Sequence, residues 1–362
     1  MKFLLAGYFG FGNFGDEAIL KYAIDILRYY YNDAEISVLT NDPIYAKENL
    51  KVNGVKRFCI TNILKEISSC DFLIFPGGSV LQDITSLKSL IYYLGLIVLA
   101  LIFKKKVILM AQGFGPIKNK LARKLTYKIL KKVSLITLRD EKSYDDLMSN
   151  GVMSEHTADL LWAFTQKPKN SNSDEPVLYG DIGVIEKKKI GIQLRTWQSL
   201  TQEKLEIIAK TLIRNFFYLE YEFKLISLQK NSDEKVLIEL GKIMHEMQPK
   251  CKIELIQGQT IEKNIELLQS MDYMIAMRFH AGLCTINSEH SILMLSYDPK
   301  TEEFCNELGL EYIDIDTLDE KSFANGIKWL QEFNPTRTAL KTNILVKKSQ
   351  HNVDFLVKEL EQ

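Results

Sequence analysis

The residues able to do chemistry are sparse in this chain, and they gather directly after short apolar runs. Arg278 and His280 sit in MRFHAG (277–282), at the end of the run DYMIAM. A guanidinium there can grip a carboxylate or phosphate with parallel N–H donors. An imidazole two residues on can carry a proton to or from the anion so held. The other histidines, His156, His245, His290 and His351, lie in contexts without convergent polar groups. Arginine is used selectively, with eight Arg among 46 basic residues. Arg139, Arg195 and Arg278 each close an apolar run, where a planar fork suits an anion. Lys300, in SYDPK (296–300), adds a further cation at an equivalent place. Ion pairing within the domain is the competing role for each arginine, most of all for Arg139, which has Asp140 and Glu141 beside it.

A second set of residues is built from glycine. Three loops, GYFGFGNFGDEA (7–18), PGGSVLQD (76–83) and AQGFGP (111–116), follow other apolar runs. Glycine is needed where backbone approaches a ligand closely or takes positive φ. Gly10, Gly12 and Gly15 satisfy G-x-G-x-x-G, and Asp42 could supply the acid of a dinucleotide fingerprint. In that fold, however, the pyrophosphate rests on the helix N-terminus just after the third glycine. Here Asp16 and Glu17 occupy it. Two carboxylates suit the positive end of the helix but repel a pyrophosphate. They are better suited to hydroxyl groups, as a sugar presents.

The elements that must hold these loops are legible as alternation. KFLLAG, EISVLT, DFLIFP, KVILMAQ and SLITLR read as buried strands in the first half, and KIGIQLR, YEFKLISL, KIELIQ, DYMIAM and SILMLSY in the second. Helical periods lie between most of them; after Gly15 one places Ile19, Tyr22, Ala23, Ile26, Leu27 and Tyr30 on one face. The two halves echo each other in Ser69-Cys70-Asp71-Phe72 and Ser270-Met271-Asp272-Tyr273. The fold class expected is therefore α/β, with two doubly wound Rossmann-like domains facing across a cleft. The expected boundaries are a first domain over 1–165, a polar Pro/Gly-bearing linker over 166–187 and a second domain over 188–335. A C-terminal helix over 336–362 is able to pack back on the first domain. Ligands in such folds bind beyond the carboxyl ends of the strands.

Composition narrows the classes of function. With 362 residues, 46 basic and 46 acidic side chains and 46% hydrophobic residues, the chain reads as a soluble protein with no bulk charge for nucleic acid. The five cysteines are scattered and never form C-x-x-C, so neither a disulfide framework nor a metal site is expected. The opening residues lack the pattern of a signal peptide. One segment is unusual: SLIYYLGLIVLALIF (89–103) runs into Lys104, Lys105 and Lys106. As a helix it spans about 22 Å, short of the ~30 Å hydrocarbon core. Residues 89–106 fit either a helix buried between strands or a patch lying on a bilayer with its lysines towards anionic lipid.

Taken together, GYFGFGNFGDEAIL, LTNDP, PGGSVLQDITSLKSLIYYL, AQGFGPI, RDEKS, MRFHAG and SYDPK resemble the polysaccharide pyruvyl transferases. The likeness is greatest to the branch that acts on secondary cell-wall polysaccharide in bacteria. Pro76 stands where that family usually has another glycine, and Asp159-Leu160 where it tends to have Asp-Pro. The resemblance implies an architecture like that of two-domain (GT-B) glycosyltransferases. It also implies transfer of an enolpyruvyl-derived unit from phosphoenolpyruvate to two hydroxyls of one sugar, giving a cyclic ketal and phosphate. His280 matches the catalytic histidine; Arg139, Arg278 and Lys300 match the phosphoenolpyruvate-binding cations, and Arg195 joins them by position. The glycine wall is then expected to face the acceptor, through Gly12, Asn13, Glu17, Gly77, Gly78, Ser79, Gln112 and Gly113. Asp16 would orient or deprotonate a hydroxyl there. Neither metal nor cofactor is expected beyond phosphoenolpyruvate as donor.

The acceptor implied is a lipid-linked β-N-acetylmannosamine unit, ketalised at O4 and O6. That would place the enzyme in the cytoplasm, at the inner face of the membrane. Two other readings fit parts of the pattern. A nucleotide-sugar glycosyltransferase would need an acid late in the second domain, for which Glu302 and Glu303 are available. A glycan-binding module without catalysis would have no need of His280, Arg278 and Lys300 together.

Overall fold

Leu4, Leu5 and Ala6 are wholly buried, because the strand that carries them runs through the centre of a parallel sheet with both faces covered. The computed structural model describes residues 1–84, 86–165, 188–217, 221–287 and 290–361, so the linker assigned to 166–187 lies outside the described residues. The chain divides into two units, Met1–Phe164 with Asn343–Gln362, and Thr165–Thr342.

The first unit is built on β1 (Lys2–Ala6), β2 (Glu35–Thr40), β3 (Asn53–Lys56), β4 (Phe72–Phe75), β5 (Gly78–Leu81), β6 (Lys106–Phe114), β7 (Leu135–Leu138) and β8 (Glu155–His156). All pair in parallel, in the order β3-β2-β1-β4-β6-β7-β8, with β5 beside the end of β6. The intervening helices are α1 (Phe14–Tyr30), α2 (Pro43–Glu48), α3 (Ile60–Ser69), α4 (Leu87–Ile102), α5 (Lys120–Leu130), α6 (Glu141–Ser149) and α7 (Leu161–Phe164). Strand order reverses direction after β3, so right-handed crossovers send α3, α4 and α5 to one face. There Ile63 and Ile67, Leu90, Tyr93, Leu94 and Ile97, and Ile129 and Leu130 share one core with the sheet. Each such side chain removed from water contributes about 1.5–3 kcal/mol.

The segment 89–103 thus forms most of α4 and is buried along one side. Its other side is not buried: Ile91 is 58% and Ile102 67% exposed. A helix of a surface layer normally turns polar residues outward, and this one does not.

The second unit has β9 (Lys189–Gln193), α8 (Gln202–Phe216), β10 (Glu222–Ile226), α9 (Lys230–Met247), β11 (Lys252–Ile256), α10 (Ile261–Gln269) and β12 (Tyr273–Ala276). It continues with α11 (Phe279–Ile286), β13 (Ser291–Ser296), α12 (Pro299–Leu308), β14 (Tyr312–Asp314) and α13 (Glu320–Glu332). The sheet order is β11-β10-β9-β12-β13-β14, again parallel throughout. The internal echo noted in the sequence has a physical basis. Asp71, before β4, accepts the N–H of Lys2 at 2.8 Å, and Asp272, before β12, accepts that of Lys189 at 2.7 Å. In each unit the carboxylate satisfies the first amide of the neighbouring central strand.

The last helix, α14 (Ala339–Leu360), belongs mainly to the first unit. Its Asn352 is fully buried and takes up four hydrogen bonds. Oδ1 accepts the hydroxyls of Thr137 and Thr157, and Nδ2 donates to the carbonyls of Ala158 and Ser349.

Candidate active site

In each unit the residues singled out by chemistry lie beyond the carboxyl ends of the central strands, where the crossover direction changes. In the first unit this is the junction of β1 with β4. The glycine loop after β1 enters α1 with Asp16 and Glu17 in its first turn. Glu17 is buried, and its carboxylate folds back to accept the Gly10 N–H at 2.8 Å. Burial pushes this carboxyl up to about 7; Asp16 adds to the rise, and the Gly10 amide opposes it. Asp16 is more open and accepts from the Asn13 side chain. It also meets the second glycine loop: at Gly78, where φ is +84°, a Cβ would stand 3.4 Å from Asp16 Oδ1. Glycine therefore gives this backbone both its left-handed turn and its closeness to the carboxylate. Gly77 precedes it, and Gly12 lies exposed at the tip of the first loop.

The third loop is aimed by a bulge. The β6–β7 register slips between Leu109 and Gln112, and Ala111 takes a positive φ of 48°. The Ala111 N–H is received by the Thr137 hydroxyl at 2.7 Å. Gln112 is thereby turned under the second loop and donates to the carbonyls of Phe75 (3.0 Å) and Gly77 (2.6 Å). It is 1% exposed, and its Oε1 is buried without a partner among the described residues. Expected to touch the acceptor, Gln112 instead braces the loop that would do so. Gly113 leaves room for Ser79 and Arg139, since a Cβ there would collide with Ser79 Oγ.

Arg139 donates to Asp159 at 2.6 Å and to Ser79 at 3.1 Å. Asp159, at the position where the resembled family tends to have Asp-Pro, is thus the counter-ion of an arginine expected to hold an anion. Arg57, which the sequence reading passed over, is 6% exposed beneath the first glycine loop. Its guanidinium lies about 5 Å from the rings of Phe11, Phe58 and Tyr92. It donates to Tyr93 Oη at 3.0 Å, and that hydroxyl donates to the Gly7 carbonyl at 3.2 Å. Arg57 directly follows β3, so the rule that found the other arginines at strand ends would have found it had that short strand been recognised.

In the second unit the reversal lies between β9 and β12. Arg278 caps α11, and its own N–H is received by Gln193 Oε1 at 2.8 Å. Its Nε and Nη2 are received by Asp233, in the first turn of α9, at 2.9 and 2.6 Å. Nη2 also reaches Gln229 at 2.9 Å. Asp233 is fully buried and further accepts Gln193 Nε2 and the amides of Leu228 and Gln229, each at 3.0 Å. Expected as an anion grip, Arg278 thus has this edge committed to a carboxylate of the protein, and it locks the turn that presents His280. A guanidinium buried this deeply requires such a partner.

His280 is the second residue of α11, partly exposed, with Phe279 beside it at 4.9 Å between ring centres. Lys300 is the second residue of α12, the helix that follows β13, and β13 pairs with β12. Two helix N-termini therefore emerge side by side, with a histidine and a lysine in their first turns. That of α11 has no acid in its first turn and no side-chain cap, a setting that favours an anion. At α12, Asp298 accepts the Lys300 N–H at 3.0 Å and Glu302 lies in the first turn, which leaves the Lys300 side chain as the cation there. Arg195, past β9, donates to Tyr297 Oη at 2.9 Å and lies 4.9 Å from the ring of Tyr297 and 5.7 Å from that of Trp197. Its Nε has no partner among the described residues.

The family model of the polysaccharide pyruvyl transferases matches residues 13–299, a span that runs from the first glycine loop to the edge of α12. The chain belongs to this family. The amylovoran biosynthesis protein AmsJ of Erwinia amylovora is 21% identical over 369 residues, covering 86% of each chain. Among solved structures, UDP-GlcNAc 2-epimerase from Methanocaldococcus jannaschii superposes with a TM-score of 0.65 at 14% identity, over 99% of this chain and 100% of that one. The Neisseria meningitidis UDP-GlcNAc 2-epimerase bound to UDP-GlcNAc gives 0.62 at 14% identity, with the same coverage. Glycosyltransferase VinC in complex with DTDP gives 0.56 at 10% identity, over 100% of this chain and 99% of that one. At these identities the likeness is one of fold, with two Rossmann-like domains of the GT-B class. As a polysaccharide pyruvyl transferase the protein is a transferase, which accords with acid–base and cationic groups on one unit and carboxylates on the other.

Proposed function

We propose that this transferase takes its pyruvyl unit from phosphoenolpyruvate and closes a cyclic ketal on two hydroxyls of one sugar, releasing phosphate. The observation that carries the reading is the pairing of His280 and Lys300 at adjacent helix N-termini, with Arg195 on the neighbouring strand end. Phosphoenolpyruvate is small and bears several negative charges, so the N-terminus of α11, Lys300 and Arg195 are the groups it calls for. Arg278 acts by holding the turn, and Arg139, on the glycine-bearing unit, is paired with Asp159.

The steps follow from the donor's chemistry. His280 delivers a proton to the vinyl CH2, which becomes CH3 and leaves C2 electrophilic. A sugar hydroxyl oxygen bonds to C2 and gives up its proton, for which Asp16 is the base proposed. The C2–O bond to phosphate then breaks, and the leaving group takes the electron pair. The second hydroxyl bonds to C2, its proton departs with phosphate, and the ring closes. Cationic groups around the leaving phosphate stabilise the charge that develops there. The acceptor proposed is a lipid-linked β-N-acetylmannosamine glycoside, ketalised at O4 and O6, by family resemblance.

Phosphate release from phosphoenolpyruvate tests this, with and without a synthetic N-acetylmannosamine glycoside. Release that requires both substrates, and falls at least ~100-fold in a folded His280→Ala variant, is the expected result. Transfer from a UDP-sugar with no reaction of phosphoenolpyruvate would replace the reading with glycosyl transfer. Near wild-type turnover in His280→Ala would remove His280 from it.

A further inference from the structure

We propose that the α3–α4–α5 face of the first unit docks on an anionic lipid bilayer. The face is apolar where a surface layer should be polar. Phe58 is 70%, Ile60 71%, Ile91 58%, Leu121 80% and Leu125 53% exposed; Phe58 lies in the loop before α3, and the others come from the neighbouring helices α3, α4 and α5. The exposed side chains Leu87, Ile91 and Ile102 fall on one outward stripe of α4, with Lys88 the one charge in the helix. On α5 the outward positions Leu121, Lys124, Leu125 and Lys128 alternate leucine with lysine at helical spacing.

Charge selects the occupant. Residues 56–69, 84–105 and 117–132 hold thirteen Lys and Arg, of which Arg57 is buried, and one acid, Glu66, in a chain whose formal net charge is zero. Asp83 adjoins them through the amides of Lys118 and Asn119. The rest of the chain carries the balancing acidic excess. A positive apolar face on an otherwise acidic molecule is drawn to, and oriented by, a negatively charged surface. A second copy of the chain fits poorly, since a two-fold interface would set this like-charged patch against itself. α4 has sixteen residues, about 24 Å of helix, and no helix of the described residues is long and apolar enough to cross a membrane. The face therefore lies on the bilayer, with exposed leucine and isoleucine entering between headgroups and lysines meeting phosphates. The sequence pattern pointed to 89–106 alone; the structure adds α3 and α5, and seven of the thirteen basic residues lie in α5 and the residues flanking it.

Co-sedimentation of the full chain with phosphatidylcholine vesicles, with and without phosphatidylglycerol, tests the proposal. Binding should require phosphatidylglycerol and weaken as salt is raised. Replacing three lysines together, Lys88→Ser, Lys124→Ser and Lys128→Ser, should weaken it on the order of 100-fold, at about 1 kcal/mol for each charge. Leu121→Ser with Leu125→Ser should weaken it at least ~10-fold. Both sets are exposed, so melting temperature and turnover on a water-soluble acceptor should hold. Absence of binding to phosphatidylglycerol vesicles overturns the proposal, and so does binding indifferent to both sets. Self-association of the wild type abolished by these substitutions, without vesicle binding, overturns it in favour of a protein interface. The assay contains neither phosphoenolpyruvate nor acceptor, so it stands or falls separately from the reading of the reaction.

Discussion

Asp233→Ala should destabilise the second unit by about 3–5 kcal/mol, the cost of removing one partner from a buried ion pair. The size follows from what the carboxylate holds. Its oxygens receive Arg278 Nε and Nη2 at 2.9 and 2.6 Å, Gln193 Nε2 at 3.0 Å and two backbone amides at 3.0 Å. Alanine leaves the guanidinium of a residue only 8% exposed without its counter-ion and strips three neutral donors of a common acceptor. Urea denaturation, followed by circular dichroism, reads the loss directly. Phosphate release should fall with it, because the turn from Arg278 to His280 loses its anchor. Asp233→Leu combined with Arg278→Met should recover much of the stability, since no charge is then left unpaired. A cost below about 1 kcal/mol for Asp233→Ala would refute the reasoning. So would a stable Asp233→Ala variant that binds phosphoenolpyruvate more tightly, which would show Arg278 to be a ligand grip released by the substitution.

Two other outcomes follow from groups buried in the first unit. The Glu17 carboxyl, raised to about 7 in the folded state, binds its proton more tightly there than in the unfolded chain. Its contribution is therefore full below about pH 4.5 and is lost as pH rises to about 7, a decline of about 3 kcal/mol. Chemical denaturation at pH 5 and pH 8 should show it, and Glu17→Gln should flatten it; an unchanged slope in the variant would assign it to other groups. Asn352→Ala removes all four of its hydrogen bonds and leaves the Thr137 and Thr157 hydroxyls and the Ala158 carbonyl short of partners. A loss of about 2–4 kcal/mol in urea denaturation is expected, and wild-type stability would show that water replaces the amide.

The long apolar runs declared the central strands because a strand covered on both faces must be apolar at every position, as FLIF and SILMLS are. Edge strands need no such run. NGVK of β3 and YID of β14 are short and mixed in character, and they escaped the pattern. Missing β3 also hid Arg57. The candidate site divided along a similar line. That Arg278 and His280 lie together at a strand end was legible because three residues carry it. That Asp233 holds Arg278 was not, since 45 residues separate them and nothing local joins them. Gln112 was misjudged for a related reason: a bulge at Ala111 decides which way its amide turns, and Ala111 has no side chain that announces a positive φ. The α4 segment revealed its apolarity but not which side of it the protein covers.

The return of the last helix to the first unit has a consequence for synthesis. A ribosome makes a chain in sequence order at about 5–20 residues per second, so Asn352 emerges about 200 residues after Thr137 and Thr157. Until it arrives, the Thr157 hydroxyl lacks this acceptor, and Thr137, which braces the bulge at Ala111, has no Oδ1 to receive its own proton. The second unit, contiguous from Thr165 to Thr342, is complete before the first can be. The half of the protein that begins first thus finishes last, and the bulge that aims its third glycine loop takes its final support, through Thr137, from a residue translated some 200 positions later.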